Sequence, residues 1–209
     1  MAHLLHIDSS PRGERSLSRQ MSKEFIEQWK HKYPNDIVTY RDIGRNPVPH
    51  VDEPWIAAAF APPEQRTPEL WKAIELSDRL VDEFLAADIY VMGVPMYNFS
   101  VPSTFKAYID QIVRIGRTIA SEPNDSAHLK PLVLGKKMFV IEARGDSGFE
   151  PGGHYENMNH HDPYLRSLFG FIGITDITFI HVEKTDYGQK KLAELIASAR
   201  TQIAQLVKS

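Results

Sequence analysis

Residues 88–94, Asp88-Ile89-Tyr90-Val91-Met92-Gly93-Val94, run directly into Pro95-Met96-Tyr97-Asn98-Phe99-Ser100-Val101-Pro102-Ser103. The first seven form a short apolar run, the pattern of a strand covered on both faces. The next nine are bounded by prolines and cannot continue either a strand or a helix. From Phe105 to Val113 the apolar residues return at helical spacing. A strand, an irregular loop and a helix in that order are the first half of a βαβ unit.

The same succession recurs along the chain. His3–Asp8, Asp36–Ile43, Lys137–Ala143 and Asp176–Val182 are further strand-type runs, five in all with Asp88–Val94. Between and after them lie amphipathic stretches. Leu17, Met21, Phe25 and Trp29 recur at intervals of four; Trp71–Leu85, Phe105–Val113, Pro163–Phe171 and the Leu192 to Leu206 series follow. Regular alternation of this kind predicts right-handed crossovers, a five-stranded parallel sheet of order 2-1-3-4-5 and helices on both faces, an α/β three-layer sandwich. Two stretches stand outside it: residues 45–68, with six prolines and a helical piece around Trp55 to Phe60, and residues 117–136, which delay the fourth strand. With no repeat or low-complexity tract, both are insertions on a single domain spanning residues 1–209.

Composition narrows the functions available. A net charge of −3 and a pI near 6.3 give no global basic field for nucleic acid or an anionic membrane. The absence of cysteine removes disulfides, thiolate ligands and cysteine nucleophiles, and suits a reducing cytoplasm. No stretch approaches the about 18 apolar residues of a membrane span, and the short N-terminal apolar run is not a secretory signal.

In an open parallel sheet the ligand sits at the carboxyl ends of the strands beside the switch point, here the loops after strands 1, 3 and 4. The first loop, Ser9 to Ser18, offers the hydroxyls of Ser10, Ser16 and Ser18 around a helix N-terminus at Leu17, which suits a phosphate. Ser16 as a plain helix cap, with the other serines in turns, explains the same loop equally well. Neither a Rossmann nor a Walker glycine pattern is present. In the second loop, Pro95, Met96, Tyr97, Asn98 and Phe99 supply a thioether, two aromatic rings and an amide, the requirements of a flat heterocycle with a polar rim; core packing is the alternative, disfavoured because the cluster lies in a proline-bounded turn rather than at helical spacing. The third loop, Arg144-Gly145-Asp146, either meets the ligand edge or pairs Arg144 with Asp146 at the surface.

The chain resembles the FMN-dependent NADH-azoreductase and NADH:quinone oxidoreductase family over nearly its whole length. Pro95 to Phe99, followed by Pro102-Ser103 and then Lys106, Tyr108, Ile109 and Asp110, carries most of that resemblance, with the Ser-Pro-Arg and Ser-x-Ser pattern of the first loop. It implies a flavodoxin-like homodimer with one non-covalent FMN per subunit and NADH or NADPH as donor. Ser10 and Ser16, Leu17 and Ser18 would then hold the phosphate, Met96 to Phe99 the isoalloxazine, and Arg144 to Asp146 its pyrimidine edge. The expected activity is two-electron, ping-pong transfer to quinones and azo compounds, with no protein nucleophile or nominated acid. Ala143 and Asp146 depart from the Ser-Arg-Gly-Gly form common in the family, and Ile119 replaces a frequent aromatic, so acceptor preference is expected to differ.

His154, His160 and His161 near Asp162 match no metal-ligand template, so no metal is expected. Asp162-Pro163 instead reads as a helix cap with proline at the first helical position. Tyr155, Asn159 and His160 are candidates to line an acceptor pocket, and Trp55 and Phe60 are candidate exposed interface aromatics. A flavodoxin-like electron carrier is the alternative to an enzyme. A phosphoacceptor signalling module, which needs acidic residues at the ends of strands 1 and 3, is disfavoured, because Gly93-Val94-Pro95 leaves strand 3 without its aspartate.

Overall fold

The computed structural model describes residues 1–122, 125–183 and 189–208. Five strands, β1 (His3–Asp8), β2 (Ile37–Asp42), β3 (Ile89–Gly93), β6 (Lys137–Ala143) and β7 (Asp176–Val182), form one parallel sheet in the order β2-β1-β3-β6-β7. This is the expected 2-1-3-4-5 order. Every strand run recognised in the sequence lies in it, with ends that move by a residue at most.

Period-two alternation explains why the sheet needs cover on both faces. Leu5, Ile7, Tyr90, Met92, Met138, Val140, Ile177 and Phe179 point to one side. There they pack under α3 (Pro68–Ala86), α4 (Ser103–Ile112) and α5 (Asp162–Ile172) through Leu80, Phe84, Phe105, Tyr108, Leu165 and Phe169. Leu4, Val91, Phe139, Ile141, Ile180 and Val182 point to the other, under α1 (Leu17–Lys32) and α6 (Gln189–Lys208). Each buried side chain of this size contributes about 1.5–3 kcal/mol. The large buried tyrosine of β3 is also satisfied in hydrogen bonding, since Tyr90 donates to the Phe84 carbonyl at 2.9 Å.

Both insertions have structure of their own. Residues 45–68 contain α2 (Glu53–Phe60), capped by Asp52, and lead to α3, where Thr67 accepts from the Leu70 N–H ahead of Pro68. Trp55 is buried rather than exposed, its ring 5.7 Å from the Arg114 guanidinium, so only Phe60 of the two aromatics faces solvent. The second insertion holds an antiparallel hairpin that the sequence reading did not anticipate, β4 (Ile119–Glu122) with β5 (Asp125–Pro131). Pro123 and Asn124 of its Ser-Glu-Pro-Asn-Asp-Ser stretch lie outside the described residues.

Candidate functional site

The strands that meet at the switch point bring their loops together. The loop after β1 passes through a 3-10 turn, Gly13–Arg15, and enters α1 at Leu17 with Ser16 as cap. Ser16 Oγ accepts from the Arg19 N–H at 3.4 Å and lies 3.2 Å from Ser18 Oγ. The plain cap is therefore real, and it does not exhaust the helix end: Leu17 and Ser18 N–H precede the first intrahelical bond, that of Gln20 to the Ser16 carbonyl. A cleft of about 310 Å³ opens here, lined by Ser10, Arg12, Arg15, Ser16, Leu17, Pro95, Met96, Tyr97, Ala143, Gly145 and Leu192.

Seven residues expected from the sequence thus line one cavity. Ser18 stands behind the wall, fully buried against Ser16. Arg12 and Arg15, both exposed at the rim, were not anticipated; their signal was the Arg-Gly-Glu-Arg stretch flanking the turn. They put positive charge beside the free N–H groups, the setting for an anion.

The β3 loop is a tight hairpin. Tyr97 and Ser100 exchange backbone hydrogen bonds of 2.8 and 3.1 Å, and the central Asn98 and Phe99 take φ of 48° and 69°. Two consecutive positive φ values define a mirror-image turn that usually takes Asn-Gly. Phenylalanine there is strained by roughly 1–2 kcal/mol, and strain of this kind concentrates at ligand sites. Asn98 and Phe99 lie exposed at the tip, outside the cleft lining. Phe99 faces Phe149 at 6.4 Å, which stacks on Tyr155 at 5.4 Å, so the aromatic row extends along the β6 loop. That row is tied to the turn by the His160 N–H, which donates to the Phe99 carbonyl at 3.0 Å.

Behind the β1 loop lies a buried polar network. Arg19 holds Asp42 with two hydrogen bonds of 2.6 and 2.8 Å and donates to the Ser10 carbonyl at 2.7 Å. Tyr40 and Ser22 donate to Asp8 at 3.0 and 2.7 Å. Burial pushes the Asp42 carboxyl up, but Arg19 and the Arg45 N–H outweigh it and hold the group below the usual carboxylate range. Both aspartates are engaged in holding the loop. A larger cleft of about 590 Å³ beside them is lined by Asp8, Glu14, Arg19, Asp42, Arg45 and other polar residues, and includes none of the β3 and β6 loop residues.

Arg144 does not pair with Asp146. Its guanidinium is buried 3.4 Å from Glu142, 3.6 Å from Asp162 and 3.4 Å from Glu183, while the Asp146 carboxylate accepts from the adjacent Ser147 N–H. Of this stretch, Ala143 and Gly145 line the cleft. Asp162 is the first residue of α5 rather than its cap. Asn159 Oδ1 accepts from the His161 and Asp162 N–H groups at 3.1 and 3.2 Å, because the Asp162 carboxylate is drawn away to His161 and His181. Burial opposes protonation of His181, yet the neighbouring Asp162 and Glu142 raise its pKa to about 9.

Fold and site together define a flavodoxin-like α/β protein with an anion seat at one helix N-terminus and an aromatic strand-end loop beside it. Residues 2–207 match the flavodoxin-like fold family. The FMN-dependent NADH:quinone oxidoreductase 2 of Trichormus variabilis is 57% identical over 208 residues, covering 99% of both chains. The FMN-dependent NAD(P)H:quinone oxidoreductase 1 of Pseudomonas aeruginosa is 42% identical over the full length of both. Among solved structures, an azoreductase from Bacillus anthracis superposes with a TM-score of 0.88 at 27% identity, over 99% of each chain. The chain belongs to the FMN-dependent NADH:quinone oxidoreductase family and is an enzyme of that family.

Proposed function

We propose that this chain, acting as one FMN-binding domain over residues 1–209, transfers electrons from NADH or NADPH to quinones and azo compounds. The observation that carries the reading is the shared cleft, where an anion seat made by Ser10, Ser16, Leu17, Arg12 and Arg15 adjoins the Met96–Tyr97 wall. A flavin phosphate fits the helix N-terminus, where hydroxyls, free N–H groups and two guanidinium groups converge. The ring fits against Met96 and Tyr97, with Asn98 and Phe99 at its outer edge and the main chain of Arg144, Gly145 and Asp146 toward its polar rim. One FMN would be held non-covalently in each subunit.

FMN, when bound, would supply the two-electron redox chemistry that links donor to acceptor. The protein's part is to seat donor and acceptor in turn in one place and to present N–H dipoles where charge develops. Phe99 and Tyr155, both packed on the buried Phe149, are the surface against which a planar acceptor would lie, with His160 beside them. Asn159 is committed to the loop, since its amide also donates to the Phe149 carbonyl at 3.1 Å.

Exposed Phe60, Trp71 and Ile115 border a cleft of about 440 Å³, an apolar surface suited to a second copy of the chain. We place the enzyme in the cytoplasm; no described helix is long and apolar enough to cross a membrane.

Steady-state kinetics test the activity. NADH oxidation by the FMN-loaded protein is expected to depend on an added benzoquinone and to give parallel double-reciprocal lines as the quinone is varied. Donor oxidation that no small quinone or azo dye accelerates would contradict the enzyme reading and favour an electron carrier.

A further inference from the structure

The cluster around Glu142 is not explained by flavin binding. It gathers side chains from three separate elements: Glu142 on β6, His161 and Asp162 at the start of α5, and His181 on β7. Glu142 and His161 are fully buried. Half of the buried side-chain polar atoms that lack a hydrogen bond among the described residues lie in and around this cluster: both oxygens of Glu142, Nε and Nη1 of Arg144, and Nε2 of His161. A buried carboxylate that meets its cationic neighbours only at 3.3–3.5 Å, with no hydrogen bond made, is costly, and such a group calls for an ion or water.

The donor spacing points to an ion. Glu142 Oε2 lies 3.5 Å from His161 Nδ1 and 3.3 Å from His181 Nε2. Asp162 Oδ1 lies 3.3 Å from His161 Nδ1, and Asp162 Oδ2 lies 3.0 Å from His181 Nε2. A tetrahedral ion with bonds of about 2.0–2.1 Å to nitrogen and oxygen has ligand-to-ligand edges of about 3.3 Å. One donor atom each from Glu142, His161 and Asp162 fits within 4.8 Å of the others. Charge agrees with geometry. Three carboxyl groups, of Glu142, Asp162 and Glu183, face the Arg144 guanidinium and the His181 imidazole, and a divalent cation held by neutral imidazoles would replace the positive charge that protonated His181 otherwise brings. The guanidinium, 3.4 and 3.6 Å from the two ligand carboxylates, then serves as their outer partner.

We propose that Glu142, His161, Asp162 and His181 form a binding site for a divalent transition-metal ion, zinc foremost, that ties the end of β6 to α5 and β7. Two imidazoles and two carboxylates favour such an ion over magnesium or calcium, which take oxygen ligands. His181, whose side chain is 32% exposed, provides the way in. The sequence spacing concealed the site, because Glu142 and His181 lie 19 and 20 residues from the His161–Asp162 pair. His154 and His160, the other histidines of the loop, take no part.

The test is calorimetric titration of chelator-treated, FMN-loaded protein with zinc chloride in two buffers of different ionisation enthalpy. The expected result is one zinc per chain with proton release and no comparable binding of magnesium. His181→Gln and Glu142→Gln are expected to weaken zinc binding at least 100-fold, while His154→Gln and His160→Gln leave it unchanged. Metal-free melting curves confirm that each variant is folded, and His181→Gln, at the exposed margin, remains informative if Glu142→Gln is unstable. No zinc binding by the parent protein, or binding that persists in folded His181→Gln, would overturn the proposal.

Discussion

Replacing Ser16 with aspartate is expected to weaken FMN binding about 100-fold while leaving the protein as stable as before. Aspartate caps a helix as well as serine does, and its charge suits a helix N-terminus. The cap to the Arg19 N–H at 3.4 Å therefore survives the change. A bound phosphate would meet a carboxylate where it now meets a hydroxyl, and like charges so placed cost several kcal/mol, of which 1.4 kcal/mol is a factor of ten. Riboflavin, which lacks the phosphate, is expected to bind Ser16→Asp as it binds the parent. Fluorescence titration with both ligands and a melting curve measure all three quantities. Unchanged FMN affinity would reduce Ser16 to a cap and nothing more.

The second large effect concerns a residue that touches no ligand. A Cβ at Gly44 would lie 2.2 Å from the Ser10 carbonyl oxygen and 2.5 Å from its carbon, both backbone atoms. That oxygen is fixed by Arg19 at 2.7 Å, and the Gly44 N–H donates to the Asp8 carbonyl at 3.1 Å, so the loops after β1 and β2 are held back to back. Gly44→Ala must drive the Ser10 loop outward by about an ångström. We expect a loss of about 2–4 kcal/mol in denaturant unfolding, with a drop in FMN affinity of at least tenfold as the seat opens. Gly170 is the control: it lies inside α5, and apart from its chain neighbours and its own helix backbone nothing lies within 4 Å of an added Cβ, so alanine there is expected to be neutral or to stabilise by up to about 1 kcal/mol. Equal behaviour of the two variants would contradict the packing account.

What the sequence made legible follows from how local each signal is. The β3 run is apolar throughout, and Leu4, Leu5 and Ile7 of β1 and Met138 to Ile141 of β6 are apolar as well, because helices cover both faces of the sheet, so composition alone marks them. The β4–β5 hairpin escaped notice because its described part, with Asp125, Ser126, His128 and Lys130, has no such run and pairs outside the main sheet. In the site, the Ser-x-Ser at the start of α1 and the Pro95–Phe99 stretch are contiguous, and so were visible. Arg144 was not, because its partners Glu142, Asp162 and Glu183 come from the end of β6, the start of α5 and the residue after β7, which only the folded sheet brings together. Trp55 looked like an exposed aromatic for the same reason: its cover is Arg114, from the residues after α4.

The most direct test of the central claim is a paired titration of the flavin-stripped parent protein with FMN and with riboflavin. A phosphate seated on Ser16, Leu17, Arg12 and Arg15 predicts one FMN per chain, bound at least 100-fold more tightly than riboflavin, with the difference shrinking as salt screens the rim arginines. Equal affinity for the two, or no flavin binding at all, would contradict it.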